Sequence, residues 1–310
     1  MNDLPPSFFA TAIFLFGLAF GSFLNVCIHR LPRGLSVVRP RSACPQCGAP
    51  IRALDNIPVV SWMLLGGRCR DCKALISPRY VFIELLTGLL FLACWLTFGP
   101  TLWMLKFCVL AFLLLRLIFA DAETRLLPDA LTLPGLALGV VFSLVVPVDG
   151  LAARLLPWLG MRSIAFPWRL LSLGDALLGA ALGASFIYGA GAIYLRARGV
   201  EGMGFGDVKL MALVGAFLGV KLTVFTLFSA SLVGTVAGLS TILMVWSKRT
   251  QRRMERNHEP ASAARKRAWK SASMVYRHYQ MPFGVFLGTM AMVAVFFGDA
   301  IIRWYLEAWL

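Results

Sequence analysis

The sequence predicts an all-α polytopic membrane protein of about eight transmembrane helices, with a small cytosolic four-cysteine, zinc-ribbon-like insertion after the first span. Three observations carry this. The 310 residues are 59% hydrophobic, with a mean hydropathy of +0.76, which is more apolar surface than a soluble fold can bury. The apolar residues fall into helix-length runs separated by short polar stretches. Four of the seven cysteines form two CxxC pairs inside the only sizeable polar stretch of the first half.

Residues 1–28 hold the first span (7–28), interrupted by Gly17, Gly21 and Asn25. No Lys or Arg precedes it, so it lacks the basic start of a signal peptide. The first basic residue, Arg30, follows it, which predicts an outside N-terminus and a cytosolic exit.

Residues 29–80 form a cytosolic metal-binding loop domain. Cys44-Pro45-Gln46-Cys47 and Cys69-Arg70-Asp71-Cys72 stand 21 residues apart. Each pair presents two thiolates from one tight turn, and the intervening loop lets the second turn close a tetrahedral shell. That pattern predicts a structural Zn2+ site on Cys44, Cys47, Cys69 and Cys72. Nine Lys or Arg residues in the loop place it in the cytosol, where disulfides do not persist. Cys27, Cys94 and Cys108 lie in apolar runs and read as small core residues.

Residues 81–246 form the transmembrane core. Spans two and three (81–98 and 101–120) are joined by the Gly99-Pro100 turn. Arg116, a turn before the inner end of span three, is expected to snorkel to the interface. Pro128 stops any continuing helix, and Asp129 reads as the N-cap of span four, 130–148. Residues 149–172 make an outer loop, with three arginines against the usual charge bias. Asp175 reads as the outer N-cap of span five, 173–195. Residues 208–246 are too long for one span and divide near Lys221. Residues 247–281 carry ten Lys or Arg and read as a basic, partly disordered cytosolic loop against anionic headgroups of the lipid bilayer, with no nucleic-acid role. Residues 282–310 hold the last span.

This topology puts 22 of the 30 Lys and Arg residues on the cytosolic side, so the net charge of +15 is orientation rather than a nucleic-acid surface. It also brings Asp121 and Asp207 to the same membrane face. Asp121 ends a span, where the helix dipole disfavours an acid. Asp207 closes Gly202-Met203-Gly204-Phe205-Gly206-Asp207, whose glycines permit tight backbone approach. Taken alone it reads equally as an N-cap. Two acids at one depth on separate helices are what an aspartyl protease needs: one carboxylate as general base on water, the other, protonated, as acid on the carbonyl oxygen. The other readings of the same residues are a non-enzymatic zinc-ribbon scaffold or assembly factor, and a transporter.

The chain resembles the type IV prepilin peptidases. The resemblance runs through Gly21-Ser22-Phe23-Leu24-Asn25-Val26 and Arg30-Leu31-Pro32, through both cysteine pairs with Asn56-Ile57-Pro58 and Ser61-Trp62 between them, and through Ile76-Ser77 and Arg79-Tyr80 to Glu84. It continues in Asp121, Leu126-Leu127-Pro128-Asp129, Gly202 to Lys209 and Pro282-Phe283-Gly284. It departs at Val81, where the family usually has proline. The resemblance implies that Asp121 and Asp207 are catalytic, supported by Gly204 and Gly206, and that the four cysteines hold zinc. It implies cleavage of a short basic leader from prepilins or pseudopilins at the cytosolic face of the bacterial inner membrane. It further implies N-methylation of the new N-terminal residue by S-adenosyl-L-methionine, for which Glu84 and Asn25 are the candidate residues. Glu123, Asp129 and Glu201 are the acids available to receive the leader.

Overall fold

The computed structural model describes residues 5–148, 167–200, 202–257, 260–278 and 282–309. Most of the predicted outer loop lies outside the described residues. The chain runs through α1 (Pro6–Arg30), a short α2 (Val60–Leu64), α3 (Arg79–Phe98), α4 (Leu102–Thr124), α5 (Asp129–Ser143), α6 (Trp168–Arg198), α7 (Phe205–Asn257), α8 (Ala261–His278) and α9 (Phe283–Val293). A π-helical turn at Ala294–Gly298 carries α9 into α10 (Asp299–Trp309). Among the described residues there is no strand, only two isolated bridges in the insertion.

Among the described residues six helices are long and apolar enough to cross a membrane, and α5 is a shorter apolar one. α7 breaks at Gly219, whose φ of 74° and ψ of −178° interrupt the helix in a region that only glycine enters freely. With that break the apolar segments number eight, and the chain is a multi-pass membrane protein. The division falls two residues before Lys221, which instead pairs with Asp299.

Helix contacts are made close by small residues, since lipid supplies no hydrophobic drive between helices. A Cβ at Gly17 would lie 2.8 Å from the Gly88 Cα, and one at Gly21 would lie 2.6 Å from the Glu84 Cα, so α1 and α3 touch backbone to backbone. A Cβ at Gly215 would lie 2.1 Å from the Gly179 carbonyl oxygen. The small-residue run of α6 is therefore an internal seam with α7. α4 is central, with Leu110, Leu114 and Leu117 packed into one core with Leu210, Leu213 and Phe217 of α7 and Leu287 of α9.

Several expectations need correction. The basic segment is not a disordered loop. α7 continues past the apolar run to Asn257, and α8 returns along it, burying Ala264, Ala268 and Ala272, while Trp246 donates to the Arg265 carbonyl at 3.1 Å. Arg116 does not snorkel: it is fully buried, and among the described residues none of its guanidinium nitrogens has a hydrogen-bond partner. Asp175 is not the N-cap of its helix. α6 begins seven residues earlier at Trp168, which leaves Asp175 buried inside the helix. Asp129 is the first helical residue of α5, with Pro128 at the cap.

Candidate active site and metal centre

The insertion is built from two copies of one turn. Cys44 donates its amide to the Ala49 carbonyl and Gly48 donates back to the Cys44 carbonyl; Cys69 and Ala74, then Lys73 and Cys69, repeat both bonds. Each turn closes with a bridge, Ala43 to Pro50 and Arg68 to Leu75. The left-handed position falls on Gly48 in the first turn and on Lys73 in the second. The four Sγ atoms all lie within 4.8 Å of one another, and those of Cys44 and Cys72 are 3.8 Å apart. The cluster is thus shaped to hold a metal ion. Amides of Cys47 and Gln46 aimed at the Cys44 sulfur lower its pKa to about 6, which favours the thiolate that a metal requires. Arg70 grips the Asp55 carboxylate through both Nε and Nη2 and holds that carboxyl below the usual range. Trp62 donates to the Ile76 carbonyl at 3.1 Å. These contacts tie the linker to the second turn.

The two acids come together at the start of α9. Asp121 lies in the last turn of α4, one turn before Arg125 in the left-handed conformation ends the helix. Its Oδ2 accepts the Val285 amide at 3.0 Å. Asp207 is the third residue of α7, not its cap. Its amide donates to the Gly204 carbonyl at 3.1 Å. A Cβ placed on Gly284 would lie 2.9 Å from Asp121 Oδ2 and 3.2 Å from Asp207 Oδ1. The two carboxylates therefore face one another across a gap that one carbon would fill. Both residues are buried.

Neighbouring residues fix this geometry. A Cβ on Gly206 would meet Leu127 at 2.9 Å, and one on Gly202 would meet the Tyr194 ring at 2.4 Å. Gly204 has room around it and contributes its carbonyl, which accepts the Asp207 amide. These glycines serve close approach, and none of the three has a positive φ. Lys209 pairs with Asp129 and lies 5.0 Å above the Phe205 ring, joining the starts of α5 and α7. Glu123 pairs with Arg79. Two of the acids expected to receive a basic leader are thus already matched, and Glu201 lies outside the described residues.

The sequence reading missed Gly284 and Val285 as parts of the site; Pro282-Phe283-Gly284 was the visible signal, but its contact partners are remote in the chain. The structure does not bring Asn25 and Glu84 to the acids. Asn25 donates to the Tyr80 carbonyl at 3.1 Å, and Glu84 accepts the Val59 amide at 2.8 Å.

Comparison with known proteins supplies the family. Residues 15–98 match the bacterial peptidase A24 N-terminal domain, and residues 108–239 match the type IV leader peptidase family. A protein of Aeromonas hydrophila named prepilin leader peptidase/N-methyltransferase is 36% identical over 98% of this chain and 96% of its own length. A protein of the same name from Pseudomonas aeruginosa is 34% identical over 97% and 95%. One from Myxococcus xanthus is 38% identical over 85% and 72%. No solved structure matches. The matched domains, the relatives and the paired acids on membrane helices agree, and the chain belongs to the type IV leader peptidase family.

Proposed function

We propose that the chain is a prepilin leader peptidase and N-methyltransferase that works at the cytosolic face of the bacterial inner membrane. One observation carries the reading: Asp121 and Asp207, from separate membrane helices, face one another beside Gly284. Two carboxylates this close share a proton and titrate as a unit. The ionised member takes a proton from water, whose oxygen attacks the scissile carbonyl. The protonated member gives its proton to the carbonyl oxygen. Collapse of the resulting diol then passes a proton to the departing amine. Prepilins and pseudopilins are the proposed substrates.

The four cysteines fit Zn2+. Tetrahedral Zn–S bonds of about 2.3 Å place sulfurs about 3.8 Å apart, close to the Cys44–Cys72 spacing. Bound there, zinc fixes the two turns. The donor for methyl transfer is S-adenosyl-L-methionine, which supplies an electrophilic methyl group when bound.

The test uses the full chain in lipid with a synthetic prepilin, followed by mass spectrometry with and without S-adenosylmethionine. Loss of the leader, plus one methyl group only when the donor is present, is expected. An intact substrate with folded, zinc-loaded protein would leave the scaffold reading.

A further inference from the structure

The linker between the two cysteine turns carries the most strained residue near the membrane face. Val59 has φ 62° and ψ −53°. Val60 donates its amide back to the Pro58 carbonyl at 2.6 Å, so Val59 is the centre of a γ-turn with positive φ, a rare and strained turn. A β-branched residue in that region is an outlier and persists only where its surroundings hold it.

What holds it is Glu84. The Val59 amide donates to Glu84 Oε2 at 2.8 Å. The Glu84 Cα is the atom against which Gly21 of α1 is pressed. Glu84 thus stands where α1, α3 and the linker meet. On the loop side, the Ser61 hydroxyl accepts the Ile57 amide at 3.0 Å and donates to the Leu54 carbonyl at 2.7 Å. Trp62 continues the linkage to Ile76 beyond the second turn. Asn25 fixes the same junction from α1 through the Tyr80 carbonyl.

The two stretches matched by family models meet beyond this junction, residues 15–98 on one side and 108–239 on the other. Both facing acids lie in the stretch matched to the leader peptidase family. The cysteines, Val59 and Glu84 lie in the N-terminal domain. We propose that Glu84 is a positioning residue that latches the four-cysteine module onto the membrane helices through the strained Val59 amide, and that methyl transfer depends on this latch while leader cleavage does not. The second clause rests on the proposed function; the first rests on geometry alone.

The experiment uses the full chain in lipid nanodiscs. It measures zinc content, hydrogen exchange over residues 57–62, leader cleavage and methyl transfer for wild type, Glu84→Ala and Glu84→Gln. Glutamine keeps an oxygen that accepts the Val59 amide. Glu84→Ala is expected to keep zinc and cleavage, to expose the Val59 amide to exchange, and to slow methyl transfer about tenfold or more. Glu84→Gln is expected to restore both protection and methyl transfer. Val59→Pro, which has no amide hydrogen and cannot adopt this φ, tests the latch from the loop side even if Glu84→Ala fails to fold: it should keep zinc and cleavage, speed exchange at residues 60–62 and slow methyl transfer as Glu84→Ala does.

Wild-type methyl transfer in Glu84→Ala, or equal loss of both activities with zinc retained, would overturn the proposal. A Glu84→Gln protein that protects Val59 but transfers no methyl would also overturn it, since the carboxylate would then act on the donor or the amine directly. If wild type itself transfers no methyl group, the functional reading fails and the second clause with it. Protection of Val59 lost only when the latch is broken would still bear out the first.

Discussion

Val285 gives its amide to Asp121 Oδ2 across 3.0 Å, so the last membrane segment begins on one of the two facing carboxylates. Gly284, just before it, leaves no room for a methyl group between Asp121 and Asp207. Gly284→Ala is therefore expected to fold and hold zinc but to push the carboxylates apart. Displacement of the order of 1 Å costs about a hundredfold in rate. Cleavage kinetics on a synthetic prepilin check this, and a rate within twofold of wild type would contradict it.

The Lys209–Asp129 pair joins the starts of α5 and α7 beside Asp207. Both side chains are partly exposed, so the pair adds at most about 1 kcal/mol to stability. Its larger effect is expected on the position of Asp207. Lys209→Met should lower cleavage about tenfold, more than its small change in unfolding predicts. Paired measurements of unfolding midpoint and cleavage rate separate the two.

Metal retention should fall with acid. The Cys44 thiol has its pKa lowered to about 6 by the Cys47 and Gln46 amides, so its thiolate is present well below the ordinary thiol range. A folded pKa lowered from 9.0 to about 6 favours the folded turn; this contribution is fully present above about pH 9 and is lost as pH falls through about 6. Protons compete with the metal for all four thiolates, so zinc content after dialysis at stepped pH should fall as the pH is lowered. Cys44→Ser should lose metal at neutral pH and harm methyl transfer more than cleavage.

The α6–α7 seam makes a structural prediction. A Cβ at Gly215 meets the Gly179 backbone at 2.1 Å, and backbone cannot move aside as a side-chain tip can. Gly215→Ala should destabilise the protein by about 1–3 kcal/mol, read by denaturant unfolding in detergent. Gly189→Ala, which meets nothing within 4 Å, is the matched control.

The parts of this molecule legible in its sequence are those whose geometry is local. The cysteine turns were readable because each CxxC pair fixes its own two ligands, and the spans because hydrocarbon thickness sets their length. Asp121 and Asp207 were readable as a pair because charge bias set the topology and put both at one face. Asp207's place in its helix was not, because an acid at the cap and one three residues later differ by little more than the scatter of helix ends. Arg116 was misread because the face of α4 that turns inward is chosen by packing against α1 and α9, which no local pattern records. The α7–α8 hairpin was hidden by its charge, although Ala264, Ala268 and Ala272 recur at the spacing of one helix face. The closing of Gly284 onto two remote acids is a tertiary event, and only the structure reveals it.

The central claim is that Asp121 and Asp207 cut together, and substitution by asparagine tests it most directly. Asparagine keeps the shape and hydrogen-bonding reach of each side chain but cannot act as a general base. Wild type, Asp121→Asn and Asp207→Asn, each in lipid with zinc bound, are incubated with a synthetic prepilin, and leader release is followed by mass spectrometry. Each variant is expected to lose at least about a hundredfold in cleavage rate, while a pre-cleaved substrate is still methylated. Cleavage by either variant at the wild-type rate would contradict the account.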